Sequence, residues 1–162
     1  MGDKKGPSES SREQIREEAR NVVSEQLETL RGTDRKAMAT ARINGLILGL
    51  LASAGSLADS PARAINDSMI YGGVLLLGSL GVAVLTYTVD RPSYGLGPGY
   101  FDSEFENFST DTEVSNDLLD RYADWIDENS EEISTNGIYL FISQALFLAG
   151  LVLLAWGVIV AI

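Results

Sequence analysis

The sequence predicts an all-α integral membrane protein with three transmembrane helices and two cytoplasmic amphipathic helices. Three observations carry that prediction. Apolar residues make up 45% of the 162-residue chain, yet they gather in three blocks, residues 43–58, 69–89 and 138–162, that contain no Asp, Glu, Lys or Arg. The second and third blocks, 21 and 25 residues long, reach the roughly 20 residues an apolar helix needs to cross about 30 Å of hydrocarbon. The charged stretches before and between the blocks carry apolar residues at helical spacing.

Residues 1–10 are polar with Gly and Pro and are expected to be disordered. Residues 11–36 read as a cytoplasmic amphipathic helix, because Ile15, Ala19, Val22, Val23, Leu27 and Leu30 form one stripe. Ser10 or Ser11 is suited to cap it and Glu13 to its first turn, while Gly32 marks an expected break before the membrane.

The first span is predicted over residues 37–58. Its 16-residue apolar block covers only about 24 Å, so the helix extends back through Ala37, Met38, Ala39, Thr40 and Ala41 and draws in Arg42. An arginine one turn inside the interface can run its aliphatic stem outward and keep its guanidinium among head groups. The block starts beyond residue 40 after a charged arm, unlike a cleavable signal peptide.

The second span covers residues 69–89 and the third 138–162. Between them, residues 90–137 form an acidic cytoplasmic loop holding 13 of the 23 Asp and Glu and only two arginines. Within it an amphipathic helix is predicted over about 111–133 on the stripe Val114, Leu118, Leu119, Tyr122, Trp125, Ile126 and Ile133, with "STNG" at 134–137 as an interruption. This helix and the one over 11–36 are expected to pair with each other or to assemble as coiled coils; lying on the membrane surface is the alternative, which the acidity of the second disfavours. The Gly- and Pro-rich connector 90–101 lacks phosphate-loop spacing and reads as a turn that sets Tyr94 and Tyr100 near the interface.

Nine of the twelve basic residues lie within residues 1–42. The positive-inside rule therefore puts the N-terminus in the cytoplasm and, after three spans, the C-terminus outside. Nine Arg against three Lys and a net charge of −11 suit a salty cytoplasm and point to a halophilic prokaryote.

Cysteine and histidine are absent, which excludes disulfides, thiolate chemistry, imidazole bases and the usual zinc sets. "DSEFE" and "DTEVSND" lack the glycine and terminal glutamate of a calcium loop. "NDS" at Asn66 and "NFS" at Asn107 match the glycosylation pattern but are not expected to matter for function. No catalytic residue, cofactor, metal or nucleic acid partner is predicted.

What the spans offer instead is packing. Ala37, Ala41, Gly45, Gly49 and Ser53 recur every four residues and give the first span a face without bulk, suited to close helix approach. Gly73, Gly78 and Gly81 in the second span, with Ala145 and Ala149 in the third, could face it within one chain; a contact between copies is the other use. Asn44 and Gln144 are candidates for interhelical hydrogen bonds, and no ionised group lies deep enough to serve a proton relay.

The stretch "TDRKAMATARINGLILGLL", with Asp34, Lys36 and Ala37 followed by Asn44 and an apolar run, resembles the start of the first span in Pycsar-type effectors and related SLATT-like small prokaryotic membrane proteins. The resemblance covers about residues 11–90; the third span and the acidic loop depart from it. It implies a membrane effector of antiviral defence, in which a cyclic pyrimidine nucleotide triggers oligomeric membrane disruption. Asp34 and Lys36 would then organise the cytoplasmic mouth and Asn44 would lock packing. The expected function is thus non-enzymatic self-assembly in the lipid bilayer as a homo-oligomer. The alternative is a membrane anchor or scaffold whose acidic helix recruits a cytoplasmic partner.

Overall fold

A computed structural model describes residues 8–57, 65–88, 95–96 and 110–161. They form three α-helices: α1 (Glu9–Leu57), α2 (Asp67–Thr88) and α3 (Asp111–Ala161). No strand occurs among the described residues. Each helix is long and apolar enough to cross a membrane. The expectations for residues 1–7, Tyr94, Tyr100, Asn107 and "DSEFE" lie outside the described residues.

Each helix start has a local chemical cause. Ser8, not Ser10 or Ser11, caps α1: its Oγ accepts from Ser11 N at 3.3 Å and its carbonyl from Arg12 N at 3.1 Å. Asn66 caps α2, its Oδ1 accepting from Met69 N at 3.0 Å. Thr110 and Glu113 form a capping box for α3, Glu113 N donating to Thr110 Oγ1 at 3.3 Å and Thr110 N to Glu113 Oε2 at 3.2 Å.

Two expected interruptions are absent. α1 runs unbroken through Gly32, and α3 runs unbroken through Ser134, Thr135, Asn136 and Gly137. A single glycine costs a helix interior only about 1 kcal/mol, and packing on both sides outweighs it. In α1, Leu30 and Ala37 are buried on either side of Gly32; in α3, Asn136 is itself buried between buried Asn129 and Ser143.

The buried positions follow a seven-residue period. In α1 they are Val23, Leu30, Ala37 and Asn44; in α3 they are Asn129, Asn136, Ser143, Gly150 and Gly157, joined by Leu140 and Leu154. In α2 they alternate by four and three, as Gly72, Leu76, Ser79, Ala83 and Thr86. Seven residues turn a straight helix about 20° short of two full turns, so such a seam favours the left-handed winding of coiled coils.

The chain divides into two compact units, Met1–Leu30 with Arg91–Ile133 and Arg31–Asp90 with Ser134–Ile162. In the first, the amphipathic segments of α1 and α3 meet where Gln26 Nε2 donates to the Ile126 carbonyl at 2.9 Å; within α3, Tyr122 meets Trp125 edge to face with centroids 5.2 Å apart. Val23 is buried there, whereas Ile15, expected on the same stripe, is 52% exposed.

In the second unit α2 and α3 are antiparallel. Each step along α2 is matched by an opposite step along α3, in the pairs Asn66 with Gly157, Gly72 with Gly150, and Ser79 with Ser143. Large apolar side chains on the outward faces stay uncovered, with Leu46, Leu50, Phe141 and Val152 between 67% and 72% exposed.

Candidate functional site

The centre of the second unit is a polar knot joining all three helices. Asn44 Nδ2 donates to Ser79 Oγ at 2.8 Å, Ser79 Oγ donates to the Ser143 carbonyl at 2.8 Å, and Ser143 Oγ donates to the Ser79 carbonyl at 2.9 Å. All three side chains are fully buried. The seven-residue period places one of them at a seam position of each helix, and their small size lets the backbones approach closely enough for reciprocal hydroxyl-to-carbonyl bonds.

The knot also fixes the Asn44 amide. Each serine hydroxyl has one proton, and Ser79 spends its proton on Ser143, so Ser79 Oγ can only accept from Asn44. The nitrogen of Asn44 must therefore face Ser79, which leaves Asn44 Oδ1 buried with no partner among the described residues. Asn136 Oδ1, seven residues from Ser143 along the same seam, is in the same state.

Chemically the knot is cohesive. Both hydroxyl protons are held by backbone carbonyls, and the knot contains no ionisable base to free either oxygen for attack. No cluster of three or more Asp or Glu able to hold a metal ion occurs among the described residues.

Below the knot the helices come closer still. A Cβ on Gly72 would lie 2.8 Å from Leu154 Cγ and 2.9 Å from the Gly150 carbonyl oxygen; one on Gly150 would lie 3.0 Å from the Gly72 carbonyl oxygen. One on Gly157 would meet Met69 Cγ at 2.6 Å. Asn66 secures this end, its Nδ2 donating to the Gly157 carbonyl at 2.7 Å. The asparagine of the "NDS" tripeptide is thus occupied at both polar side-chain atoms.

The predicted packing residues separate into two groups. Ala37 and Asn44 are buried, and Asn44 makes the interhelical bond expected of it. Ala41 is half-buried; Gly45, Gly49 and Ser53 are exposed, and a Cβ on either glycine would meet nothing within 4 Å. The stripe leaves the seam because a step of four turns the helix about 40° beyond a full turn, so the face that starts buried at Ala37 has rotated outward by Gly45. Gly73, Gly81, Ala145 and Ala149, expected to face it, are not at the close contacts either. The close approach lies instead between α2 and α3, at Gly72 and Gly150.

Gln144 is exposed, and its neighbour Ser143 makes the interhelical bond. Asp34 is half-buried and engaged in an interaction, while Lys36 is exposed, with its carbonyl accepting from Thr40 Oγ1 at 3.0 Å. Sequence reading missed Ser79, Ser143, Gly72, Gly150, Gly157 and Asn66. A heptad count from Asn44 or from Ala37 would have marked the seam; the repeat of four drew attention to the face beside it.

No protein family, curated protein or solved structure matches this chain.

Proposed function

We propose that the chain is a non-enzymatic, multi-pass membrane protein that acts by self-assembly through its first span. In this reading the N-terminal arm and the acidic connection lie in the cytoplasm and the C-terminus lies outside. The observation that carries it is the uncovered face of Gly45, Gly49 and Ser53, open where a second helix backbone could lie. In lipid, small residues spaced by four drive helix association through close packing, and this face meets no other helix among the described residues. The outward leucines, valines and Phe141 suit acyl chains rather than water.

By the resemblance at Asp34 to Asn44, the assembly is a membrane-disrupting effector of prokaryotic defence, released by a cyclic pyrimidine nucleotide. The knot would hold each protomer's three helices as one body while the glycine face recruits the next. A second reading, an anchor that recruits a cytoplasmic protein, is favoured by the exposed carboxylates Asp120, Asp124, Asp127, Glu128 and Glu131 along α3.

The test combines Gly45→Leu and Gly49→Leu. In detergent, light scattering and cross-linking of the purified protein should show oligomers that the double variant loses, and overproduction of the unaltered chain should make cells leak dye while the variant does not. Oligomers and leakage that survive both leucines would overturn the assembly face. Leakage absent from every form, with one protein co-purifying on the acidic helix, would favour the anchor.

A further inference from the structure

Arg31, Arg35 and Arg42 lie on one face of α1. At 100° per residue their Cα positions fall within about 40° of each other around the helix. All three are exposed, and none forms an ion pair among the described residues. Arg12, Arg20 and Lys36 are equally without an ion pair among the described residues, so what sets these three arginines apart is one shared face beside the first apolar block. Glu28 stands three residues from Arg31, the spacing at which Glu13 pairs with Arg16, yet it forms no ion pair with Arg31.

Their depth is set by the knot. With Asn44 opposite Ser79, and Leu48 and Leu51 lining the same groove as Ile70, Gly73 and Leu77, α1 and α2 are antiparallel. Arg35 is then level with Thr88, the last residue of α2, and Arg42 is level with Gly81, about 10 Å further in. Against α3, Ser143 and Asn44 share a level, so Arg42 lies about 5 Å beyond the first residue of the apolar block, Ile138. The face thus straddles the edge of the apolar zone.

Arg42 already turns back toward that edge. Its Nη2 donates to Met38 Sδ at 3.0 Å, one turn nearer Arg35. A thioether is a weak acceptor, and a guanidinium has five N–H donors, so most of its capacity is unused. The surface around and beyond it is apolar and open, with Met38 38%, Ile43 46% and Leu46 69% exposed.

We propose that this face binds the phosphate of an anionic phospholipid, with Arg35 approaching from the water side and Arg42 from the hydrocarbon side. Guanidinium groups match phosphate oxygens in geometry and charge, and Leu46 and Leu50 continue the surface for the acyl chains. That apolar continuation selects a lipid over free phosphate. The inference rests on α1 being a membrane span, not on self-assembly.

Native mass spectrometry of the detergent-solubilised full chain tests it by titrating phosphatidylglycerol against phosphatidylcholine. Phosphatidylglycerol should bind preferentially. Each arginine near an anionic surface contributes about 1 kcal/mol, a factor of about five, so Arg35→Gln and Arg42→Gln should each weaken its binding about fivefold and the double variant about 25-fold. Arg42→Lys should retain part of the preference, and Arg12→Gln should leave it unchanged. Equal binding of the two lipids, or a preference indifferent to Arg35 and Arg42, would overturn the site. Displacement by glycerol 3-phosphate at equal concentration would reassign it to a soluble phosphate. A chain that dissolves without detergent would instead remove the membrane reading, before any lipid is added.

Discussion

The two units turn opposite kinds of side chain outward, although both bury a mixture of apolar and polar ones. In the unit formed by Arg31–Asp90 and Ser134–Ile162, the seam buries Asn44, Ser79, Thr86, Asn136 and Ser143 while leucines, valines and Phe141 point outward. In the unit formed by Met1–Leu30 and Arg91–Ile133, Val23, Leu30 and Asn129 are buried while most Glu and Asp side chains are exposed. The same seven-residue period runs along both, so the period does not distinguish them; the character of the outward face does. Water drives apolar side chains together. An apolar surrounding supplies no such force, and helices there rely on close backbone contact and hydrogen bonds. The inverted unit is built from those two devices, glycine contacts and a hydroxyl-amide knot.

The largest expected effect breaks the close contact. In Gly72→Ala the new methyl meets the Gly150 carbonyl at 2.9 Å and Leu154 N at 3.0 Å, backbone atoms that move only if α2 and α3 separate. Overpacking of this kind costs about 1–3 kcal/mol. The neighbouring Gly73→Ala, whose methyl enters open space, should cost nothing measurable. Thermal unfolding in detergent compares the two; equal effects would mean that the helices are not held by this approach.

A smaller loss is expected from the knot. Ser79→Ala removes the acceptor for Asn44 Nδ2 and the hydroxyl donor to the Ser143 carbonyl, stranding the buried Asn44 amide while the carbonyl keeps its helical bond. Interhelical hydrogen bonds of this kind contribute about 0.6 kcal/mol on average and up to about 1.7, so a loss near 1 kcal/mol is expected. Gln144→Ala, on an exposed position, should be neutral. Denaturation of the two variants under one condition ranks them, and a Gln144→Ala loss equal to that of Ser79→Ala would refute the assigned seam.

These contrasts explain what could be read from the sequence. The three apolar blocks declared three long helices, because length and composition alone decide whether a helix can cross a membrane. Asn44 was legible as a polar residue in an apolar run. Ser79 and Ser143 were not, since a serine that folds back on its own helix and one that bridges two helices look alike in sequence. Gly72 and Gly73 are adjacent, and only the phase of the seam tells which one touches α3. Gly32 and the Ser134 to Gly137 stretch showed the converse failure: turn-forming residues persisted in helices because buried neighbours on both sides held the backbone.

The smallest expected effect lies in the water-facing type of unit and sharpens the contrast through pH. The side-chain hydrogen bond from Arg16 holds the Glu13 carboxyl below the ordinary glutamate value; desolvation opposes this and the Arg16 charge adds to it. A carboxylate with a lowered native pKa contributes stability above its unfolded value, and that contribution is lost as pH falls through the lowered one. The pair is exposed, so salt should screen it. Carboxyl chemical shifts followed through an acid titration should place Glu13 below the ordinary glutamate value, and Arg16→Gln or high salt should return it there. The knot of Asn44, Ser79 and Ser143 has no titrating group, so the Ser79→Ala loss should stay constant across the same range. A knot penalty that changed with Glu13's titration would show that the two chemistries are coupled rather than separate.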